Sequence, residues 1–524
     1  MQSRPATPTV KKAVTKRASP KAKGLATLGG GIVREGSIDD YAQETMSEYA
    51  EEVNLARSVP DLMDGLKPVQ RRIMWSAHKM PGSGFRKTAR IVGDCIGKYH
   101  PHGDGSVDGA IETLVQHPTP TMLGSGNWGG LLDSAAAMRY TNCKLSSYGE
   151  SFFLPDYINS SVTSFVPNYD GEDDEPVSLP SMLPNVLLNG GEGIGVGVTT
   201  LIPTFSPESI IIMLKRVLAG ETLTPVDYAK TLKFQSKWGG HVLNTKENRA
   251  AWLQLFKTGS ASVQFKAALH IDRNGKAIEI DDWPPGLNPV ALVDKIRPKE
   301  MKNGKVRAGL AEVDQVFNHN GDTGFRIEMK KDRNYTQFDE LVKKIERLTT
   351  SRKSFKINVT YRKATVEDGK VIFNTRFLSV SIPKLLSLWL KERLQIEKRS
   401  LEYRLKNQAA MIAYSKLLIY ASTKLEVVFA ALKSQDSKAY LVTNLKLTPE
   451  QADTILELRV RQLSKLDKAA MESKLKEQVA FEAQLQKWYK APRAKVSADM
   501  DTCLLAIQKD RTYENVKEEE LTIA

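Results

Sequence analysis

KTARIVGDCIGKYHPHGD, residues 87–104, is the stretch on which the reading of this chain turns. KTARIVGDCIGKY reads as a short helix and HPHGD as a loop behind it. With PVQRRIMWSAHKM upstream, it makes residues 68–117 a series of short helices and turns, a spacing that suits a helix-turn-helix. GDCIGKYH is not a nucleotide-hydrolysis loop: it is one residue short between its glycines and has Tyr99 where Ser or Thr must hold magnesium. His100 and His102 could bind a metal from the loop, but no third nitrogen or sulfur ligand is near. An imidazole donating to a phosphate oxygen is the more economical reading.

Outward from this stretch, 524 residues imply three or four domains. Lys plus Arg outnumber Asp plus Glu by 75 to 61, and the formal charge of +14 points to a polyanionic partner, nucleic acid first. The first 34 residues hold Arg4, Lys11, Lys12, Lys16, Arg17, Lys21, Lys23 and Arg34 and no acid. That Ala/Pro/Thr/Lys-rich segment lacks a hydrophobic period, so residues 1–35 are expected to be a disordered basic tail. Its prolines and missing amphipathic face argue against a transit peptide. Cys95, Cys143 and Cys503 are widely spaced and odd in number, which fits a reducing compartment and excludes a cysteine-built zinc site. No run of eighteen apolar residues occurs, so no membrane span is expected.

From Ser37, SIDDYAQETMSEYAEEVNLARSV reads as a capped helix that Pro60 ends. Residues 165–375 alternate short strand-like and helical segments and read as mixed α/β. LLSLWLKERLQIEKRSLEYRLKNQAAMIAYSKLLIYASTKLEVVFAALK, from residue 385, has no Gly or Pro and repeats Leu390, Leu394, Leu401, Leu405 and Ile412 at spacings of four and seven. It reads as one long amphipathic helix, with partner helices in residues 446–489, a pattern suited to a coiled coil and dimer contact or to burial within one chain.

Candidate chemistry gathers in a few places. Arg57, Lys67, Arg71 and Arg72, followed by Arg86, Lys87, Arg90 and Lys98, would suit phosphate binding; the alternative is a solvated surface. Six phosphate contacts would give a log–log salt slope of about −5. Gly191, Gly193, Gly195 and Gly197 alternate with Glu192, Ile194 and Val196, which fails the dinucleotide fingerprint. The spacing puts a bare face along an extended segment, open to another backbone or a nucleic acid, while Ile194 projects the other way. AAAMRYTNCKLS, residues 135–146, sets Arg139 and Tyr140 side by side. Read locally, Tyr140 has no base to activate it and packing is the safer reading.

KPVQRR, TARIVGDCIGKYHPHGDGSV, GSGNWGG, DSAAAMRYT, LLNGGEGIGVGVTTLIP and LTPEQADTILELRVRQLSKLD, in this order over residues 38–490, resemble the DNA breakage-reunion subunit of bacterial-type type IIA topoisomerases. The relatives are the A subunits of gyrase and topoisomerase IV and the medium subunit of tailed-phage topoisomerases. The resemblance implies a multidomain α+β chain. Its parts would be a winged-helix domain (36–165), a mixed α/β tower domain (166–378), and a long antiparallel coiled coil with a helical dimerisation knob (379–492). Residues 493–524 would be a C-terminal tail.

The resemblance makes Tyr140 the nucleophile that forms a 5′-phosphotyrosine, one per strand of a homodimer, with cuts staggered by four base pairs. Arg139 would stabilise phosphoryl charge. Arg57, Lys67, Arg71, Arg72, Lys98, His100 and His102 would hold DNA or the scissile phosphate, and Ile194 would wedge between base pairs. A phenol of pKa about 10 needs help at neutral pH. The family draws it from a separate ATPase/TOPRIM partner that binds Mg²⁺ and hydrolyses ATP. The chain itself is expected to hold no metal, to be inactive alone, and to work in the DNA-associated cytoplasm of a bacterium or phage-infected cell.

Departures from the family pattern shape further expectations. The serine and acid used by quinolones are replaced by Gly105 and Gly109, which predicts weak fluoroquinolone sensitivity. Asn142 stands where an acid is usual. No basic pinwheel domain has room after Trp488, so relaxation and decatenation are expected in place of negative supercoiling. The rivals are a noncatalytic DNA-binding architectural dimer and a metal nuclease built on HPHGD.

Overall fold

The computed structural model of the chain describes residues 25–28, 31–34, 37–130, 133–297, 299–300, 306–307, 310, 313–319, 324–367, 370–457 and 468–523. The chain divides into two compact units, residues 1–393 with 497–524, and residues 394–496.

In the larger unit, β1 (Leu25–Leu28) and β2 (Gly31–Arg34) pair antiparallel, so the end of the expected disordered tail carries a hairpin; residues 1–24 lie outside the described residues. Helix α1 (Ile38–Val53) starts where Ser37 Oγ accepts the Asp39 N–H at 3.1 Å. A π-helical turn, Asn54–Ser58, follows. Helices α2 (Pro68–Lys79), α3 (Thr88–Lys98) and α4 (Asp104–Gln116) then pack against one another. KPVQRR is the start of α2: Pro68 takes the first helical position and Gln70 Oε1 accepts the Lys67 N–H at 3.0 Å. Ile73, Met74, Ile91, Val92, Cys95, Val107, Ile111 and Leu114 interlock inside. Each such aliphatic side chain contributes about 1.5–3 kcal/mol by burial. Strands β3 (Arg86–Lys87), β4 (Met122–Ser125) and β5 (Asn142–Leu145) flank the helices as an antiparallel sheet in the order β3-β5-β4.

Two hairpins follow that bear on the site. The first is β6 (Phe165–Pro167) with β7 (Asp174–Pro176); the second is β8 (Gly191–Ile194) with β9 (Thr199–Ile202). β8 and β9 form one edge of a five-stranded sheet completed by Thr350–Lys356, Ser260–Lys266 and His241–Val242. A four-stranded sheet closes its own core around Trp283, Phe325, Ile327, Phe338 and Leu341. The hairpin of Asn358–Glu367 and Lys370–Ser379 returns towards α2, where the Leu62 N–H donates to the Thr360 carbonyl at 2.7 Å.

The segment expected to be a C-terminal tail is instead a helix, Pro492–Ile523. Within the larger unit its Met500, Cys503 and Ile507 are buried at spacings of three and four. Its acids dock: Asp501 pairs with Lys215 at 2.6 Å, and Asp510 accepts the Ser147 and Tyr148 N–H groups at 3.0 Å each. Polar residues between the apolar ones hid this face from a reading for loops.

The smaller unit holds a second correction. The fifty-residue helix is two, Ile382–Thr423 and Leu425–Leu432, separated at Lys424 with φ −127° and ψ 33°. No Gly or Pro causes the break. Ser422 Oγ and Thr423 Oγ1 bond back to the carbonyls of Ile419 and Tyr420, each at 2.7 Å, and compete with the helix ladder. Helix Lys468–Lys490 lies antiparallel to the first: Tyr489 Oη donates to Glu402 Oε1 at 3.0 Å and Gln408 Nε2 to the Gln478 carbonyl at 2.9 Å. Ala421, Val428, Ala431, Leu441, Leu445 and Ile455 form a separate helical core. Residues 458–467, half of the motif LTPEQADTILELRVRQLSKLD, lie outside the described residues. Among the described residues no helix is long and apolar enough to cross a membrane.

Candidate functional site

Tyr140 closes a turn directly before β5. Its N–H donates to the Ala137 carbonyl at 2.8 Å, and next to it Thr141 is locked to α3 by Thr88 N–H to Thr141 carbonyl, 3.1 Å, and a 2.8 Å hydroxyl pair. The backbone is therefore fixed, yet the Tyr140 side chain is 63% exposed. The packing reading fails on that number. The Arg139 guanidinium lies 4.8 Å from the centre of the Tyr140 ring, so a cation travels with the phenol.

A second group forms where α2, the α3–α4 loop and the turn Asn54–Ser58 meet. Arg72 donates from Nε and NH2 to Glu175 Oε2 and Oε1 at 2.6 and 2.8 Å, and its NH1 faces His100 Nδ1 at 3.5 Å. His102 stands edge-on to His100 with ring centres 4.9 Å apart. Burial first, then the charges of Arg72, His102 and Arg57, push the His100 pKa down to about 4, so His100 is neutral at pH 7. Burial also lowers the Lys67 pKa; Glu192 on β8 opposes that shift and Arg57 adds to it. Arg57, Lys67, Arg72, His100 and His102 thus share one electrostatic neighbourhood. Neither the Arg139 nor the Tyr140 side chain is hydrogen-bonded or ion-paired to it.

Two residues expected to hold DNA are otherwise engaged. Arg71 points into the protein, where its Nε and NH2 donate to Asp64 Oδ2 and Oδ1 at 2.6 and 3.1 Å, and it is buried. Next-door positions on a helix face about 100° apart, so Arg71 turns inward to Asp64 while Arg72 is directed to another side of α2. Lys98 is half-exposed and bound to Asp94 at 2.5 Å, one turn back on α3.

The glycine face has a definite use. A Cβ at Gly193 would strike the Ser58 carbonyl, and one at Gly195 the Asn54 side chain. Of the two alternatives, the occupant is this chain's own backbone: Ser58 Oγ donates to the Ile194 carbonyl at 3.1 Å and Asn54 Nδ2 to that of Val196 at 3.0 Å. Ile194 itself is 81% exposed, projecting away from that contact.

Sequence reading missed Glu175 and Asp64. Glu175 belongs to an acidic run, Glu172–Glu175, that reads as a solvated loop, and nothing local couples it to Arg72 103 positions earlier. Among the described residues, no set of three or more His, Cys, Asp or Glu side chains converges as a metal site. Around Tyr140 and His100 the cations Arg139, Arg57, Lys67 and Arg72 predominate and Glu175 is committed to Arg72, so these groups do not by themselves fit Mg²⁺.

Residues 57–500 match the family of the A subunits of DNA gyrase and topoisomerase IV. The chain is 31% identical over 472 residues to the DNA gyrase A subunit of Clostridium acetobutylicum, covering 88% of this chain and 54% of that one. It is 32% identical over 471 residues to the A subunit of DNA topoisomerase 4 from Neisseria gonorrhoeae, covering 83% and 58%. For the corresponding protein of Caulobacter vibrioides the values are 30% over 445 residues, 82% and 56%. The chain thus spans little more than half the length of these relatives.

Proposed function

This chain belongs to the family of DNA gyrase and topoisomerase IV A subunits, and on that premise we propose that it cuts and rejoins double-stranded DNA through Tyr140. It works as a homodimer completed by a separate ATPase/TOPRIM partner, and relaxes and decatenates DNA. The observation that carries this reading is the Arg139–Tyr140 pair: a solvent-facing phenol on a fixed backbone with a guanidinium 4.8 Å from its ring. An architectural DNA-binding dimer has no use for such a pair.

On this reading α2, α3, α4 and the β3-β5-β4 sheet are the winged helix, residues 166–378 the tower, and the antiparallel helices of residues 394–496 the coiled coil with its dimerising knob. Tyr140 Oη bonds to a DNA phosphorus as the P–O3′ bond breaks; the phenol proton leaves to solvent and the 3′ oxygen takes one up. Arg139 stabilises the charge developing on the phosphoryl oxygens. Arg57 and Lys67 hold flanking phosphates, Arg72 stands against His100, and neutral His100 donates a hydrogen bond. Ile194 wedges the duplex, held at its height by the contact of β8 with Ser58. Mg²⁺ and ATP belong to the partner.

The test is reconstitution. The chain with its ATPase/TOPRIM partner, Mg²⁺ and ATP is expected to relax supercoiled plasmid, and Tyr140→Phe to abolish relaxation. Relaxation that survives Tyr140→Phe, or DNA cutting by this chain without the partner, would overturn the reading.

A further inference from the structure

We propose that Glu175 is a positioning residue for DNA cleavage: by gripping Arg72 with both carboxylate oxygens it holds the guanidinium against His100 Nδ1 and thereby aims the imidazole Nε2–H at the DNA phosphate. This rests on the cleavage reading above and adds to it a residue outside the motifs that carry the family.

The geometry supports each link. Arg72 Nε and NH2 form a two-point fork with Glu175, at 2.6 and 2.8 Å, which fixes the guanidinium plane as a single bond would not. The third nitrogen, NH1, is left facing His100 Nδ1 at 3.5 Å. A guanidinium has only donors, so the ring nitrogen it faces must offer its lone pair, and the proton of the neutral imidazole sits on Nε2. The other side agrees. Ser106 Oγ gives its own proton to the Gly103 carbonyl at 2.7 Å and therefore meets Nε2, 3.4 Å away, as an acceptor. That long contact is one a phosphate oxygen can replace.

Glu175 is itself held. It lies on β7, whose Asp174 carbonyl accepts the Trp75 Nε1–H at 3.1 Å. The same hairpin covers the last carbonyls of α3, directly before His100: Asn168 Nδ2 donates to Lys98 at 2.5 Å and Tyr169 Oη to Gly97 at 3.2 Å. The platform is therefore anchored to both helices it serves. The pairing also has a cost in affinity, because an arginine neutralised by a carboxylate adds little to phosphate binding. Glu175 exchanges DNA affinity for orientation, and that exchange is what a merely structural acid would not show.

The experiment uses the chain reconstituted with its ATPase/TOPRIM partner, comparing wild type, Glu175→Gln and Glu175→Asp. Duplex affinity is measured across a salt series, and covalent-complex formation at saturating DNA in single turnover. Glu175→Gln is expected to bind DNA at least as tightly, with a salt slope steeper by about one per freed arginine. Its cleavage rate is expected to fall about ten- to a hundredfold, the cost of a misplaced group, and Glu175→Asp to recover part of it. An unchanged rate, or affinity and rate falling together, overturns the proposal. If Glu175→Gln does not fold, Arg72→Lys, which keeps the charge and loses the fork, must show the same rate loss. A readout on the chain alone separates this proposal from the cleavage reading: ¹⁵N spectra of labelled histidine must show His100 protonated on Nε2, and protonation on Nδ1 refutes the positioning role whether or not the enzyme cuts DNA.

Discussion

Arg71 and Asp64 make a two-point ion pair inside the protein, at 2.6 and 3.1 Å, and the same carboxylate accepts the backbone N–H groups of Leu66 and Leu179 at 3.0 and 2.8 Å. The pair ties α2 to the segment after β7. Removing one partner strands a buried charge, a loss of about 3–5 kcal/mol. Arg71→Ala should therefore lower the thermal midpoint strongly, while any folded fraction keeps the wild-type salt dependence of DNA binding. An Arg71→Ala chain with an unchanged midpoint and weakened DNA binding would show that Arg71 is a phosphate ligand after all.

Gly193 and Ile194 are neighbours with opposite duties. Gly193→Ala drives a methyl group into the Ser58 carbonyl and should destabilise the hairpin. Ile194→Ala, on a solvent-facing side chain, should change stability by no more than about 0.5 kcal/mol yet reduce DNA bending measured by energy transfer between duplex ends. Wild-type bending in Ile194→Ala would remove the wedge.

The three-helix region was legible because its apolar residues repeat at helical spacing between Pro and Gly stops, whereas the exposure of Tyr140 was not, since AAAMRY reads locally as packing. What stayed hidden depends on distance or on subtle local competition. The Glu175–Arg72 and Asp64–Leu179 contacts join residues about a hundred apart. The break at Lys424 arises from hydroxyls of Ser422 and Thr423 that an apolar period does not register. Arg71 and Arg72 look alike in sequence, and only the rotation along α2 sends one inward and the other to the rim.

His117 supplies a pH dependence. Its Nδ1 is buried without a hydrogen-bond partner, and burial first, then Lys237, lowers its pKa to about 4. The unfolded value is about 6.5, so between these values the unfolded chain binds the proton that the folded chain refuses. The contribution of His117 to stability is fully present above pH 6.5 and is lost as pH falls towards 4. His100 shares the window. His117→Gln should flatten the slope of unfolding free energy against pH by up to about one proton; an unchanged slope contradicts this.

Gly105 and Gly109 lie exposed on the first turns of α4, with open space where a Cβ would stand. Gly105→Ser with Gly109→Glu should fit without strain and strengthen the helix by roughly 0.5 kcal/mol or less per position. It should also lower the fluoroquinolone concentration needed to trap cleavage by the reconstituted enzyme. Ordinary drug potency in the wild type would contradict the role given to these glycines.

The cleavage reading of this chain depends on covalent attachment through Tyr140. Complexes of the chain, its ATPase/TOPRIM partner, Mg²⁺ and plasmid are quenched with detergent, digested with nuclease and mapped as peptides. The expected product is a nucleotide joined through its 5′ phosphate to the peptide containing Tyr140, with free 3′ hydroxyl ends on the DNA. Linkage to another residue, linkage through a 3′ phosphate, or cut DNA carrying no protein would refute it.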